Sequence, residues 1–184
     1  MKKTLLIGVL FLISAFYIKA QLTLTPDGFK STEDSTKEFL VYTFENQSQE
    51  KLYKSTLKFL NTVYNTPLFV LSTVDNETIT ISAKSEVGEG KMGNNTYVNV
   101  FKYNYSFSIM FKENRIRIDL PFFSFERSSN GRSLVLSDGA GPYRASIFNK
   151  KGKVTMESAK EKMENDMNAI INGIIKSINS SDDW

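Results

Sequence analysis

Apolar and polar residues alternate with a period of two near the middle of the chain, in "FKYNYSFSIMFKENRIRIDL" at positions 101–120. Six bulky residues occupy every second position: Phe101, Tyr103, Tyr105, Phe107, Ile109 and Phe111. Because successive side chains of a β-strand point to opposite faces, this pattern predicts a strand with one buried and one solvated face. Burial of each such Phe or Ile stabilises a fold by about 1.5–3 kcal/mol, so we assign this face to the core.

The second half of the same stretch predicts a hairpin. With a two-residue turn at Glu113 and Asn114, Lys112 faces Arg115 and every apolar residue meets an apolar one. The predicted apolar pairs are Phe111 with Ile116, Ile109 with Ile118, and Phe107 with Leu120. A slip of one residue would move these side chains to the polar face, so the register is strongly specified. Pro121 then removes a ladder donor, which indicates an edge, a bulge or the end of the strand.

The flanking segments add two helices and further strands. The predicted strands lie over 38–44, 68–72 and 77–85, and the segment over 127–153 holds the short strands "SLVL" and "YRASIF". An amphipathic helix is predicted over 46–65, where apolar residues recur at helical spacing, and a C-terminal helix over 155–179. We therefore predict an α+β fold, with two helices packed on one face of an antiparallel sheet in the order β-α-β-β-β-β-α.

The N-terminus predicts export. "MKKTLLIGVLFLISAFYIKAQ" combines a basic start, a short apolar run and a small residue before a polar one, which is typical of a signal peptide over 1–20 cleaved near Ala20. The alternative is an uncleaved membrane anchor, which would be the chain's one contact with a membrane. Residues 21–37, rich in Ser, Thr, Pro and Gly, are predicted to be a linker or loose arm. One domain over 38–179 and a tail over 180–184 ending in Trp184 complete the expected organisation.

Charge argues against a nucleic-acid partner. Cleavage removes Lys2, Lys3 and Lys19, so the 23 basic residues fall to 20 and equal the 20 acidic ones. Nucleic-acid binding depends on a cationic surface, and the mature chain has no overall excess of positive charge. The segment 127–153 is locally basic, with six Lys and Arg residues against Asp138. It is expected to be either a solvated insertion or an anion contact.

The absence of histidine and cysteine narrows the chemistry further. The chain has neither residue, which excludes disulfides, thiol chemistry and every Ser-His or Cys-His nucleophile. We expect no metal site, no cofactor and no catalytic residue. The alternative is a carboxylate-dependent hydrolase acting on an envelope or dietary polymer, with Glu86 and Glu89 beside the glycines of the Gly88–Gly93 segment.

The polar half of the alternating pattern is the candidate binding surface. It comprises Lys102, Asn104, Ser106, Ser108, Arg115, Arg117 and Asp119, of which Lys102, Arg115, Arg117 and Asp119 are the candidate binding residues. Such a face is ordinarily only solvated. The predicted function is an exported, non-enzymatic binding or structural module whose partner is an envelope protein or polymer.

Three stretches carry a resemblance to a known family: "YTFENQSQEKLYKSTLKFLNTVY", "ETITISAK" and "YSFSIMFKENRIRID". In their order and spacing they resemble family 4468 of the domains of unknown function, found in exported Bacteroidetes proteins. The resemblance covers residues 38–126, and the second helix and acidic, Trp-terminated tail are also similar. It implies a TATA-binding-protein-like fold. Since the family has no established activity, it implies no catalytic residue.

Overall fold

The computed structural model describes residues 21–89, 99–128, 131–138 and 141–180. The strands are β1 (Leu22–Thr25), β2 (Gly28–Ser31), β3 (Phe39–Thr43), β4 (Leu71–Val74), β5 (Thr78–Glu89), β6 (Asn99–Lys112), β7 (Arg115–Asp119), β8 (Phe122–Phe125), β9 (Ser133–Val135) and β10 (Arg144–Ser146). The helices are α1 (Gln49–Val63), α2 (Pro67–Val70) and α3 (Glu157–Asn179).

Six strands form an antiparallel sheet in the order β3-β7-β6-β5-β4, with β8 paired to the N-terminal half of β6. The long β5–β6 ribbon, paired from Thr78–Met110 to Glu89–Asn99, is its centre. The prediction of an α+β fold with an antiparallel sheet is confirmed. The predicted order β-α-β-β-β-β-α corresponds to β3, α1, β4, β5, β6, β7 and α3. The structure contains further strands and the short helix α2, which the predicted order did not include.

The predicted hairpin register is confirmed as far as Ile109 and Ile118. Lys112 pairs with Arg115 and Phe111 with Ile116, and Asn114 adopts the left-handed backbone conformation that the turn requires. The predicted Phe107–Leu120 pair is absent from the ladder.

A bulge at Pro121 explains that missing pair. Between the pairs Ile109–Ile118 and Ser106–Phe122, two residues of β6 face three of the opposite chain. Such an extra residue reverses the alternation of the bulged strand. Phe123 and Phe125 therefore lie on the core face beside Tyr105 and Tyr103, while Phe122 is exposed on the other face.

The two long helices cover one face of the sheet. All six bulky odd-numbered residues of β6 are buried there. Tyr53 of α1 makes an edge-to-face contact with Phe111, with ring centroids 5.5 Å apart. At the contact between helices, a Cβ added to Gly173 of α3 would overlap the ring of Phe59, so this close approach requires glycine. Val63, the last residue of α1, is exposed although it is apolar.

The prediction of a linker over 21–37 is wrong for its first half. Residues 22–31 form the β1–β2 hairpin, which contributes Leu22, Leu24 and Phe29 to the core. Its position is set by α3, where the Asn168 side chain accepts hydrogen bonds from the backbone of Gln21 and Leu22 at 2.9 and 3.0 Å and donates to the Leu22 carbonyl at 3.0 Å. The side-chain amide of Asn168 thus bonds both the N–H and the C=O of Leu22, as a residue of a neighbouring strand would.

Three boundaries also differ from expectation. Residues 67–70 form one helical turn started by Pro67, so the strand predicted over 68–72 begins at Leu71. The basic segment over 127–153 holds the parallel pair β9–β10 and places Leu134, Ile147 and Phe148 in the core, so it is an integral part of the domain. Helix α3 begins at Glu157, because the Thr155 hydroxyl donates to the carbonyls of residues 146 and 147 instead of capping it.

Among the described residues, no helix has both the length and the apolarity needed to span a membrane. Residues 1–20 and the tail residues 181–184 lie outside the described part of the chain. The signal peptide and the role of Trp184 therefore stay predictions.

Candidate binding face

The face of the sheet opposite the helices, here called the outer face, is uncovered by any helix of the described chain. It carries the even-numbered residues of β5 and β6 and the odd-numbered residues of β3 and β7. Its centre is a neutral polar strip, in which the hydroxyls of Thr80 and Ser108 are hydrogen-bonded at 2.9 Å. The arrangement follows from the period of two, since residues that alternate with a buried set must share the opposite face.

Positive charge is concentrated at the β3-β7 end of this face. Lys112 and Arg115 are directly opposite each other on β6 and β7, and both are exposed. Neither has an ion-pair partner among the described residues. Two adjacent cations repel each other, which leaves them available to an anion that would relieve the repulsion.

Arg117 is held in a defined orientation. Its Nε and one terminal nitrogen bind the same carboxylate oxygen of Asp119, at 2.9 and 2.8 Å. Its guanidinium lies 4.1 Å from the centre of the Phe39 ring, in a cation–π contact. The carboxylate and the ring restrict the side-chain rotamers of Arg117, so less entropy is lost when the remaining donors engage a ligand.

A shallow depression of about 240 Å³ lies among these cations. Its lining combines the cations Lys112, Arg115 and Arg117 with the exposed apolar side chains Val41 and Met110. Ile116 also borders it, but its side chain is buried on the opposite face. Val41 and Met110 are both well exposed. A ligand fitted to this surface would therefore present an anionic group next to a small apolar one.

The fourth predicted binding residue, Lys102, lies elsewhere on the same face. It is separated from Met110, the partner of Arg117, by eight positions of β6, or roughly 27 Å at ~3.4 Å per residue. There it stands opposite Glu86, next to the ion pair between Lys84 and Glu126. The structure therefore groups Arg115, Arg117 and Asp119 and leaves Lys102 in a region where acidic and basic groups are balanced.

The carboxylates of the hydrolase alternative are not assembled by the described residues. Glu86 is exposed on the outer face opposite Lys102, and the side chain of Glu89 and residues 90–98 lie outside the described part. Within that part, no group of three or more acidic residues could hold a metal ion.

Beneath the sheet, a separate polar cluster connects β5 and β6 to α3. The hydroxyls of Ser85 and Tyr103 donate to the same carboxylate oxygen of Asp166 at 2.9 and 3.2 Å, and the hydroxyls of Tyr64 and Tyr105 are 3.2 Å apart. Burial raises the pKa of each of these three tyrosines. They stay protonated at neutral pH, so we assign the cluster a structural role as hydrogen-bond donors.

The alternating pattern alone does not identify the residues that complete the candidate site. Lys112 lies opposite Arg115 in the predicted hairpin but is not among the candidate binding residues, and Met110 is only one of the positions between the buried residues. Phe39 and Val41 belong to β3, and only the pairing of β3 with β7 brings them beside Arg117. The alternation within "EFLVYTF" could have placed Phe39 and Val41 on a common face, but no local signal identifies the neighbouring strand.

Comparisons with known proteins agree with this fold. No protein-family model matches the chain, and no curated protein does. The solved structure of a DUF4468 family protein from Bacteroides ovatus is similar with a TM-score of 0.55 and 12% identity, over 79% of this chain and 87% of that chain. A TBP-like protein from Parabacteroides distasonis is similar with a TM-score of 0.50 and 16% identity, over 74% and 90%.

The chain therefore has the TATA-binding-protein-like fold seen in these two structures. The resemblance in the order of sequence elements is confirmed at the level of the fold. The two solved structures contribute no residue role, since at these identities the likeness concerns architecture alone.

Proposed function

We propose that this protein is an exported, non-enzymatic binding or structural module of the cell envelope, and that the β3-β7 end of its outer face binds an anionic group of an envelope protein or polymer. The observation that carries this proposal is the cluster of Lys112, Arg115 and Arg117 around an exposed apolar depression, on a face that no helix of the described residues covers.

The uneven charge of the outer face supports a directed contact. At the far end of the face, Lys84 and Lys102 stand beside Glu86 and Glu126, so the charges balance. At the β3-β7 end, three cations of β6 and β7 stand against two acidic residues, Asp119 of β7 and Glu113 in the turn between the two strands. A purely solvated face would have no need for this separation.

The chemistry of the cations suggests a carboxylate or phosphate as the bound group. Arg117 already shows how a carboxylate is held there, because it binds Asp119 through two nitrogens. A guanidinium matches the planar, two-oxygen geometry of such anions. The contact would weaken as salt increases, since exposed charges are screened over about 8–10 Å at physiological ionic strength.

Export is a further part of the proposal and rests on residues 1–20. A basic start followed by a short apolar run is typical of a segment that directs a chain to export. Lack of cysteine is compatible with any redox environment.

The test uses the chain without residues 1–20, immobilised and presented with solubilised envelope material. The double variant R115S/R117S should lose capture of the bound component, and higher salt should reduce capture by the unchanged protein. The double variant should keep the fold, because the two side chains are exposed. Folding is checked by circular dichroism.

The matched control is K150S/K151S, which removes two exposed cations from a turn away from the outer face. Its capture should equal that of the unchanged protein. The single variant K102S then tests whether the far end of the outer face contributes to capture. Equal capture by R115S/R117S and the unchanged protein would rule out this face.

A further inference from the structure

The two outermost strands of the sheet differ in what their free edges offer. Strand β3 pairs with β7 on one side and ends the sheet on the other. Even-numbered residues of β3 direct their backbone groups to β7, as shown by the bonds from Phe44 N–H to the Asn114 carbonyl and from Leu120 N–H to the Glu38 carbonyl. The N–H and C=O groups of Phe39, Val41 and Thr43 therefore point away from the sheet.

These six backbone groups have no hydrogen-bond partner in the described part of the chain. The neighbouring residues 31–34 and 37 line a depression of about 220 Å³ together with Phe39–Tyr42, and they form no described hydrogen bond to these backbone groups. Natural sheets usually protect such an edge with a charged residue, a proline or a bulge inside the strand. The sequence "FLVYT" has none of these.

The free edge of β3 is complementary to a second copy of itself. In an antiparallel arrangement with Val41 on a two-fold axis, Phe39 of each copy faces Thr43 of the other. Every facing pair then consists of two edge-directed residues, so all six groups of each copy find partners. If the two-fold axis passes through residue 40 or residue 42 instead, only two of the three edge-directed residues of β3 face a residue of the partner's β3, and the third faces a position outside the strand.

The same register matches charge beyond the strand ends. It brings Lys37 of one copy and Glu45 of the other to the same end of the paired strands, each two residues beyond β3, and the two-fold axis repeats this pair. Both side chains are exposed. Glu45 has no ion-pair partner among the described residues, while Lys37 contacts only its own Asp34 at 3.7 Å. Opposite charges at both ends favour this register over its neighbours.

The free edge of β4, at the opposite end of the strand order, is less suited to such pairing. In β4, the Leu71 N–H is already bonded to the Pro67 carbonyl, so fewer backbone groups are available to a partner. Only Leu71 and Thr73 of β4 direct backbone groups to the free edge, because the chain turns after Val74, where the Glu77 N–H bonds the Val74 carbonyl.

From this edge we infer that the protein forms a symmetric dimer in which two β3 strands pair antiparallel about Val41, joining two six-stranded sheets into one. The outer faces become continuous across the axis, so the cationic ends of both copies lie on one surface. Five residues a side make a small interface, and the dimer is therefore in equilibrium with the monomer. The inference does not depend on the proposed function, since it is tested by mass without any ligand.

The test measures the mass of the chain without residues 1–20 by sedimentation equilibrium, from about 1 to 300 μM, the range suited to a small interface. The unchanged protein should change from monomer to dimer over this range. V41K places two lysines at the axis and should be monomeric throughout. The matched control V74K changes a valine of similar exposure, 56% against 51%, on the β4 edge and should dimerise like the unchanged protein.

A charge exchange tests the register. E45K alone creates two repulsive contacts with Lys37 and should raise the dissociation constant at least about tenfold. The double variant K37E/E45K restores opposite charges and should return the constant to near its original value. A monomer at every concentration, a dimer that survives V41K, or failure of the double variant to restore pairing would each overturn the inference.

Discussion

The β5–β6 ribbon and the N-terminal β1–β2 hairpin both supply side chains to one core, but different interactions place them there. The ribbon is twelve pairs long, and its odd-numbered residues are buried over Phe101–Phe111 of β6 and buried or half-buried over Ile79–Val87 of β5. The hairpin has four pairs and is attached to α3 by the side chains of Asn168 and Glu164. The period-two alternation within the ribbon determines which of its side chains are buried, whereas the position of the hairpin depends on polar side chains more than 130 positions away in the sequence.

The difference shows that local pattern and core membership are separate properties. A short hairpin cannot be stable alone, because two strands bury too little surface. Contact with α3 gives this one its position, and the edge-to-face packing of Phe29 on Phe123, with centroids 5.7 Å apart, ties it to β8. The following predictions test how far each region depends on these contacts.

Removal of residues 21–37 should have the largest effect. Leu22, Leu24 and Phe29 are buried, and each contributes about 1.5–3 kcal/mol through burial. Their combined loss approaches the total stability of a domain, about 5–15 kcal/mol. The shortened chain should unfold at much lower urea than the longer one, or fail to fold, as followed by circular dichroism. Equal unfolding midpoints would show that the hairpin is a linker after all.

Ile109→Ala should reduce the free energy of unfolding by about 2–5 kcal/mol, because it opens a cavity in the core beneath the sheet. The matched control is Met110→Ala, the next residue, which lies on the outer face and should change stability by less than about 1 kcal/mol. Urea unfolding of both variants gives the comparison. Similar losses in both would contradict the assignment of one buried and one solvated face.

Asn168→Ala should cost about 1–3 kcal/mol, since it leaves backbone groups of Leu22 buried without partners. Asn172→Ala is the control on the same helix. Asn172 bonds only the side chain of Gln21, at 3.0 Å, and that amide can bond water instead. Hydrogen exchange of the β1–β2 amides should accelerate in the first variant and not in the second. Unchanged exchange in N168A would show that apolar packing alone holds the hairpin.

Acid should weaken the same attachment by a smaller amount. Burial alone would raise the pKa of Glu164, but hydrogen bonds from Lys160, the Leu24 N–H and Thr23 hold it below its ordinary value of 4.5. A carboxylate with a lowered pKa stabilises the fold above its unfolded pKa, and this contribution disappears as pH falls through the folded value. The stability difference between the unchanged protein and E164Q should therefore shrink below about pH 4.5. A difference independent of pH would exclude this role for Glu164.

Much of the central architecture is predictable from the sequence. The alternation in β5 and β6 identifies the buried face, and the apolar match across Glu113–Asn114 specifies the register. Both depend on neighbours in the sequence, where the period of the backbone translates directly into the side of the sheet. The two long helices follow in the same way from apolar residues at helical spacing.

The candidate site was only partly predictable. Arg115, Arg117 and Asp119 share a face because they alternate on one strand, and the structure keeps them together. Lys102 shares that face as well, but periodicity gives no distance along it, and the length of β6 separates Lys102 from the others. Phe39 joins Arg117 only because β3 pairs with β7, a choice of neighbour that no local pattern encodes.

By itself, the sequence determined which side of each long element is apolar, since that depends on side-chain type and backbone period. The tertiary structure decided the place of the β1–β2 hairpin, the direction of Phe123 and Phe125 after the bulge, and the clustering of cations at one end of the outer face. These depend on contacts between residues far apart in the chain, where several arrangements satisfy the local pattern. Packing of the whole core selects among them.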